Sequence, residues 1–408
     1  MLDEMQRLEA HKHFQRGLIL EQAGRYDEAV EEYRQAIAYN PHLREAHDAL
    51  AAYYHRHGLL AKAADELRIV AALEEDPIAY FNLGSTLADL GRYDVAREAL
   101  ERCLALDPKD HAAGLELAYV DYASGRYEEA VARLTQLLPV YKDDWEAHNL
   151  IGLCLLRLGR YQDARLAFSH SLLLAGDQDS RDEVLRHITA VDRYSEFRKI
   201  RSLKDRLYAE EGVICLGSAQ DDGLNIPEYE QYHFTEQDIA TTLSRFVSLV
   251  RALHLPLTAV AAIDRSSLPL ARVLSSLLEL AVREPVQLSA DDYVLLVGGV
   301  VREAEFLDVA AEQLSCDILW FCLAITWQNH PTVAPPDVLG VIARNASLPW
   351  SEDIGLLLRQ GAPRAIVEHL IADVAARLSK AFAELPEEPL RQRQVRYYTQ
   401  RHRNIAIL

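Results

Sequence analysis

No apolar run in the 408 residues reaches the 18 or so that a membrane-spanning helix needs. The first residues, MLDEMQRLEAHKHF, are charged and lack the apolar stretch of a signal peptide. A cytoplasmic chain without membrane association is the expectation. Cysteine is scarce: Cys103, Cys154, Cys215, Cys316 and Cys322 are odd in number, scattered and mostly set in apolar segments. That argues against a disulfide framework or zinc site and for reduced core residues. Basic charge is short as well, 43 Lys and Arg against 62 Asp and Glu, a formal −19. Such a surface repels a phosphate backbone, so general nucleic-acid binding is not expected, whereas basic partners are favoured. The histidines, His233, His330 and His369 among them, lack metal-ligand spacing, and Ser266-Ser267 lacks the flanking glycines of a nucleophile elbow. Neither a metal nor a cofactor is expected.

What the chain does have is length for two or three domains and a 50% hydrophobic content, ample for separate cores. Its front half repeats. Gly24, Gly58, Gly91, Gly125 and Gly159 each separate two helix-like segments, at steps of 34, 33, 34 and 34 residues, and four of the five continue as Gly-Arg-Tyr. Five residues beyond each stands an alanine (Ala29, Ala63, Ala96, Ala130, Ala164), small enough for two helices to approach closely. Pro41, Pro77 and Pro108 close the first three units. In the second, His-Gly-Leu-Leu replaces Gly-Arg-Tyr, and a longer second helix with a local distortion is expected before Pro77.

A paired-helix period near 34 residues is the signature of a helical solenoid. The units closely resemble tetratricopeptide repeats, five of them over residues 10–178. One pair cannot bury its apolar stripe alone, so neighbours must stack into a continuous core. The resemblance implies a superhelix whose inner wall is lined by the first helix of each repeat. Its inward candidates are Gln15, Asp48, Asn82, Ser85, Glu116, Tyr119 and Asn149, with Asn82 and Asn149 suited to gripping an extended peptide backbone. For any one of them alone a solvated helix position is the expectation, and for the set as a whole a groove.

Asp179-Ser180 then supplies an N-cap, and apolar residues from Val184 to Leu207 keep helical spacing, which predicts one capping and connecting helix over 179–211. Beyond Gly212 strands alternate with helices. The expected strands are Val213–Leu216, Thr258–Ile263, Tyr293–Val297 and Ile318–Ile325, and the expected helices are Thr235–Leu253, Leu268–Val282, Glu303–Leu314 and Ala362–Leu385. Apolar strands in this alternation make a parallel sheet covered on both faces, so the fold class is an all-α solenoid followed by an α/β domain over 212–388.

Two loops of this domain resemble the phosphoribosyltransferase family. Asp264-Arg265-Ser266-Ser267-Leu268-Pro269 looks like the family's short pyrophosphate-side loop, and Val294–Phe306 follows the shape of its main fingerprint. Pro336–Gly340 with Leu348-Pro349-Trp350-Ser351-Glu352 is similar to the closing strand region of one subgroup. In active members two carboxylates after the fingerprint strand hold the ribose hydroxyls, and a hydroxyl-rich loop cradles the 5′-phosphate at a helix start. Here Gly298 and Gly299 replace both carboxylates, and Glu303 and Glu305 stand in the phosphate loop.

A carboxylate about 4 Å from a phosphate costs on the order of 4 kcal/mol per unit charge at an effective dielectric near ~20, roughly a thousandfold in affinity. Arg302 recovers about 1 kcal/mol or less. The resemblance therefore implies a domain that has lost catalysis, and enzyme activity is not expected. For Gly298 and Gly299 two readings stand, a tight strand-to-helix turn at positive φ, which is the expectation, or a remodelled ligand site. Asp264 and Arg265 sit where open parallel sheets bind ligands, but a local ion pair or helix cap is the expected role. The candidate ligand loops are thus Asp264, Arg265, Ser266, Ser267, Gly298, Gly299 and Arg302, and the ligand they would take is a nucleotide or sugar phosphate.

The tail, 389–408, is basic: Arg391, Arg393, Arg396, Arg401 and Arg403 alternate with Tyr397, Tyr398 and His402 before an apolar end. Such a mixture can stack on single-stranded nucleic acid. In so acidic a chain the expectation is docking on an acidic surface of the same chain or of a second copy, which would make a homo-oligomer. Taken whole, the sequence reads as a non-enzymatic adaptor that captures a protein or peptide partner in a repeat groove.

Overall fold

A computed structural model of the chain describes residues 4–303, 314–326, 335–386, 389–402 and 404–405. It divides into two compact units, residues 1–188 and 189–408.

In the first unit five antiparallel helix pairs follow one another: Glu4–Gln22 with Tyr26–Tyr39, Arg44–Arg56 with Leu60–Leu73, Pro77–Asp89 with Tyr93–Leu106, His111–Ala123 with Tyr127–Leu137, and Trp145–Arg157 with Tyr161–Leu174. The five period-marking glycines all take φ between 69° and 77°, the left-handed turn that joins the two helices of a pair. The five phased alanines are 0–2% exposed, as close helix approach requires. The second repeat is not distorted as expected. Gly58 keeps the common turn and helix 60–73 has 14 residues, like 26–39. Pro77 lies two residues late because it opens the next helix rather than closing this one: the Asp76 side chain accepts from the Ile78 N–H and caps helix 77–89.

The single helix expected over 179–211 is two, Gln178–Ser195 and Leu203–Glu211. Ser202 starts the second, its hydroxyl accepting from the Asp205 N–H, a cap signal hidden inside an apolar periodicity. The break lets Phe197 turn onto Tyr208 and His402, at ring separations of 5.9 and 4.5 Å.

In the second unit the strands are β1 (Ile214–Cys215), β2 (Glu228–Tyr229), β3 (Tyr232–His233), β4 (Ala259–Ala262), β5 (Ala281–Val282), β6 (Tyr293–Val301), β7 (Asp317–Ile325), β8 (Val338–Ala343) and β9 (Ala346–Ser347). The main sheet runs β1-β8-β7-β6-β4-β5, parallel throughout; β2 also pairs with β8, and β3 and β9 pair separately. Counted from β4, the order is 2-1-3-4-5, so winding reverses between β4 and β6, and the carboxyl ends of those strands flank the crevice where sheets of this kind bind ligands. Period-two alternation sends Val260, Leu295, Val297, Leu319, Phe321 and Leu323 into the core shared with helices Glu236–Leu253, Leu268–Leu278 and Arg364–Ala383. Ala259, Ala261, Val294 and Leu296 face the other way.

Thr235 and Asp238 form the expected reciprocal cap of helix 236–253. Helix 268–278 ends four residues before Val282, because Glu279 turns left-handed at φ 59° and the Ser275 hydroxyl donates to the Leu280 carbonyl, freeing Ala281 and Val282 to pair with β4. The helix expected over 303–314 lies largely outside the described residues.

The basic tail is part of this unit. Helix Pro389–Arg396 and the π-helical turn Tyr397–Arg401 bring Gln394, Tyr398 and His402 to 3%, 1% and 2% exposure. Gln394 Nε2 donates to the Leu216 and Gly223 carbonyls, and the His402 ring meets Glu196 at 2.8 Å. Lys204, itself buried, lies 4.5 Å from the Tyr397 ring centroid.

The closest fit is at the sheet edge. The N–H groups of Ile214 in β1 and of Leu216 just after it donate to the Asp337 and Leu339 carbonyls, which points the Cys215 N–H and C=O outward, and the Tyr398 hydroxyl meets both, at 3.3 and 3.0 Å. One phenol thus occupies the place of a further strand. Tyr398→Phe leaves both backbone groups buried and unmatched, a loss of about 1–3 kcal/mol in the unfolding transition of the α/β unit, read by chemical denaturation followed by tail fluorescence and far-UV circular dichroism.

Candidate functional site

Two places bring the candidate residues together. The first is a cavity of about 390 Å³ between the inner helices 44–56 and 77–89. Their shared face presents Asp48, His55, Ile78, Phe81, Asn82 and Ser85 over a floor of buried Ala51, Leu67 and Ala79. Three of the seven inward candidates, Asp48, Asn82 and Ser85, line it. The spacing of Ile78, Phe81, Asn82 and Ser85 (i, i+3, i+4, i+7) puts them on one stripe, a signal that could have flagged Ile78 and Phe81 from the sequence.

Charge in this groove is uneven. Arg44 is held by Asp48 at 3.3 Å and by Glu74 and Asp76. Burial raises the Asp48 carboxyl above its ordinary range despite Arg44, with Asp76 and Glu45 adding repulsion. In the next repeat Glu116 is likewise raised, first by burial and then by the Asp89 charge, against the lowering effect of the Ser85 hydroxyl. Tyr119 stands 59% exposed on the same helix as Glu116. Gln15 is exposed on the first helix.

Asn149 is placed differently. It is 5% exposed, donates to Glu183 at 3.1 Å and bonds the His187 ring at 2.9 Å, so its amide is occupied by the helix that follows the last repeat. Asn149 Oδ1 accepts, which puts the proton on His187 Nδ1. The ring packs against Phe168 at 5.3 Å, and burial, with Arg186 and Arg157 nearby, lowers the His187 pKa to about 4.

The second place is the crevice at the carboxyl ends of β4 and β6, closely packed on its β6 side. The strand expected to end at Val297 continues to Val301, and neither Gly298 nor Gly299 has positive φ, so the expected turn is absent. Both glycines serve close packing. A Cβ on Gly298 would stand 2.6 Å from Cys322 Sγ and 3.1 Å from Ile263 Cδ1; one on Gly299 would stand 2.6 Å from Leu348 Cδ1. Ser267 Oγ accepts from the Gly299 N–H at 2.9 Å, and Trp350 Nε1 donates to the Ser266 carbonyl at 2.8 Å. Asp264 Oδ1 accepts from the Ser267 N–H at 2.7 Å, and Arg302 reaches the Ala346 carbonyl at 3.2 Å. Glu303 is exposed, and Glu305 lies outside the described residues.

Asp264 and Arg265 of the candidate ligand loops line a cavity of about 730 Å³ together with Arg272, Arg283, Arg364 and Glu368. Arg272 pairs with Glu368, which is 3.9 Å from Arg265, and Arg283 pairs with Asp292 at 3.1 Å. Among the described residues no group of three or more His, Cys, Asp or Glu gathers as a metal site, and no helix is long and apolar enough to cross a membrane.

Family models of the tetratricopeptide repeat match residues 10–43, 56–111 and 87–154. The front of the chain therefore carries tetratricopeptide repeats, a fold that generally mediates protein–protein interaction. Outer dynein arm-docking complex subunit 4 of Danio rerio is 30% identical over 155 residues, which are 33% of this chain and 31% of that protein. Among solved structures, MamA is 23% identical with a TM-score of 0.38, over 40% of this chain and 91% of its own. YrrB, described as a TPR protein with an unusual peptide-binding site, is 15% identical with a TM-score of 0.40, over 43% and 90%.

Two outcomes follow from these geometries. The folded array excludes a proton from His187 that the unfolded chain binds below about 6.5, so this contribution is intact above that pH and is lost as pH falls toward about 4. His187→Phe, uncharged throughout, should show a smaller drop in the array's melting temperature between pH 7 and pH 4.5 than the parent chain does. Restoring an acidic residue by Gly298→Asp should not create a ribose site. It drives a carboxylate into Cys322 and Ile263 and should cost about 3 kcal/mol or more, read as a lowered denaturation midpoint of the α/β unit.

Proposed function

We propose that this chain is a non-enzymatic scaffold. Its repeats capture a protein or peptide segment in the groove of helices 44–56 and 77–89, and its second unit is a phosphoribosyltransferase-like frame without the chemistry. The observation that carries the first half is the groove itself, an exposed apolar stripe beside an amide that can both donate to and accept from a backbone. The Danio rerio relative is a docking-complex subunit, a role of the same kind.

For the second half, the support is the order of elements: a Leu-Pro helix opening after the loop that follows β4, β6 in the fingerprint position, and Trp350 closing over Ser266. Where active members need two carboxylates, this unit places Cys322, Ile263 and Leu348 against glycine. A second reading, a sensor for a nucleotide or sugar phosphate, is favoured by one observation, the arginines around the 730 Å³ cavity.

The full chain incubated with magnesium, phosphoribosyl pyrophosphate and a panel of bases should release no pyrophosphate above background; turnover would remove the scaffold reading. Proteins retained by the full chain should be lost with Phe81→Ala/Asn82→Ala and kept with substitutions on the outer helices. The sensor reading requires a nucleotide or sugar phosphate to raise the melting temperature of the parent chain and not of Arg265→Ala.

A further inference from the structure

The charges around the groove select what fits it. We propose that the occupant is a segment in which a lysine or arginine is flanked by aliphatic or aromatic residues, the apolar side chains lying on Ile78, Phe81 and Tyr119 and the cation seated between Asp89 and Glu116. This rests on the scaffold reading above and specifies its partner.

Three observations carry it. First, the inner helices expose apolar area that their own packing does not use: Ile78 is 65% and Tyr119 59% exposed, with Phe81 half-buried between the repeats. Second, the groove has no cation to spare for an acidic segment or a free carboxyl terminus. Arg44 is already shared among Asp48, Glu74 and Asp76, and His55 Nε2 lies 3.6 Å from Asp89 Oδ2.

Third, the carboxylates are under-compensated. Glu116 is half-buried, with the Ser85 hydroxyl and the Asp89 charge both close enough to act on its carboxyl, so an ammonium or guanidinium arriving there meets two carboxylates. Asn82, exposed at the middle of the stripe, is left to fix the backbone of the segment. An anionic segment would bring like charge onto Asp48, Asp89 and Glu116, which is discrimination by repulsion as well as by attraction.

The test uses the full chain and two fluorescein-labelled dodecapeptides of equal apolar content, three repeats of Leu-Lys-Ala-Leu and three of Leu-Glu-Ala-Leu, in fluorescence anisotropy at physiological salt. The lysine peptide should bind saturably and the glutamate peptide at least tenfold more weakly. Asp89→Asn/Glu116→Gln should weaken the lysine peptide at least tenfold. Glu128→Gln/Glu129→Gln, which removes the same charge from exposed positions on outer helix 127–137, should change it less than twofold. Removing an unfavourably buried charge leaves folding intact, checked by an unchanged melting temperature.

Equal losses from both double variants would mean attraction to the acidic surface at large and would overturn the proposal. Preference for the glutamate peptide, lost in Phe81→Ala/Asn82→Ala, would overturn the cationic occupant while leaving groove capture standing. Saturable binding of neither peptide would overturn both.

Discussion

Both units depend on one constraint, the close approach of backbones that only the smallest side chains allow. In the repeats the constraint is periodic. An alanine returns at each step, 0–2% exposed, and lets the two helices of a pair, and then successive pairs, close into a continuous core. In the parallel sheet it is local. Gly298 and Gly299 admit Cys322, Ile263 and Leu348 into the space that side chains at those two positions would fill. The open groove between helices 44–56 and 77–89 and the tight packing of the β6 end against Cys322, Ile263 and Leu348 both follow from this economy of volume.

Much of this architecture is legible in the chain. A glycine every 33 or 34 residues, followed five positions later by alanine, specifies turn, pairing and stacking together, so local and tertiary signals agree. Thr235 and Asp238 announce a helix start in the same way, because a reciprocal cap is a local event.

Features set by distant partners are hidden. Apolar periodicity from Val184 to Leu207 does not reveal the break before Ser202, since Phe197 leaves the helix for Tyr208 and for His402, some two hundred residues away. A Gly-Gly pair at a strand end reads as a turn; that it extends the strand depends on Cys322 and Leu348, which the pair itself cannot name. The tail reads as a basic arm because arginines dominate its composition, while the contacts that fix it come from Gln394, Tyr398 and His402 between them. Among the groove residues, Asp48, Asn82 and Ser85 are accessible to reasoning from repeat phase. Asn149 has the phase of Asp48, and the following helix, through Glu183 and His187, sets it apart.

The account's central claim is the proposal that side-chain packing leaves no sugar-diphosphate site between β4 and β6. Crystals soaked with magnesium and phosphoribosyl pyrophosphate test it most directly. The account predicts an unchanged crevice, with Leu348 against Gly299, the Ser267 hydroxyl on the Gly299 N–H and no ordered ligand between the strands. Density for a sugar diphosphate and magnesium there, with Leu348 displaced, would contradict it.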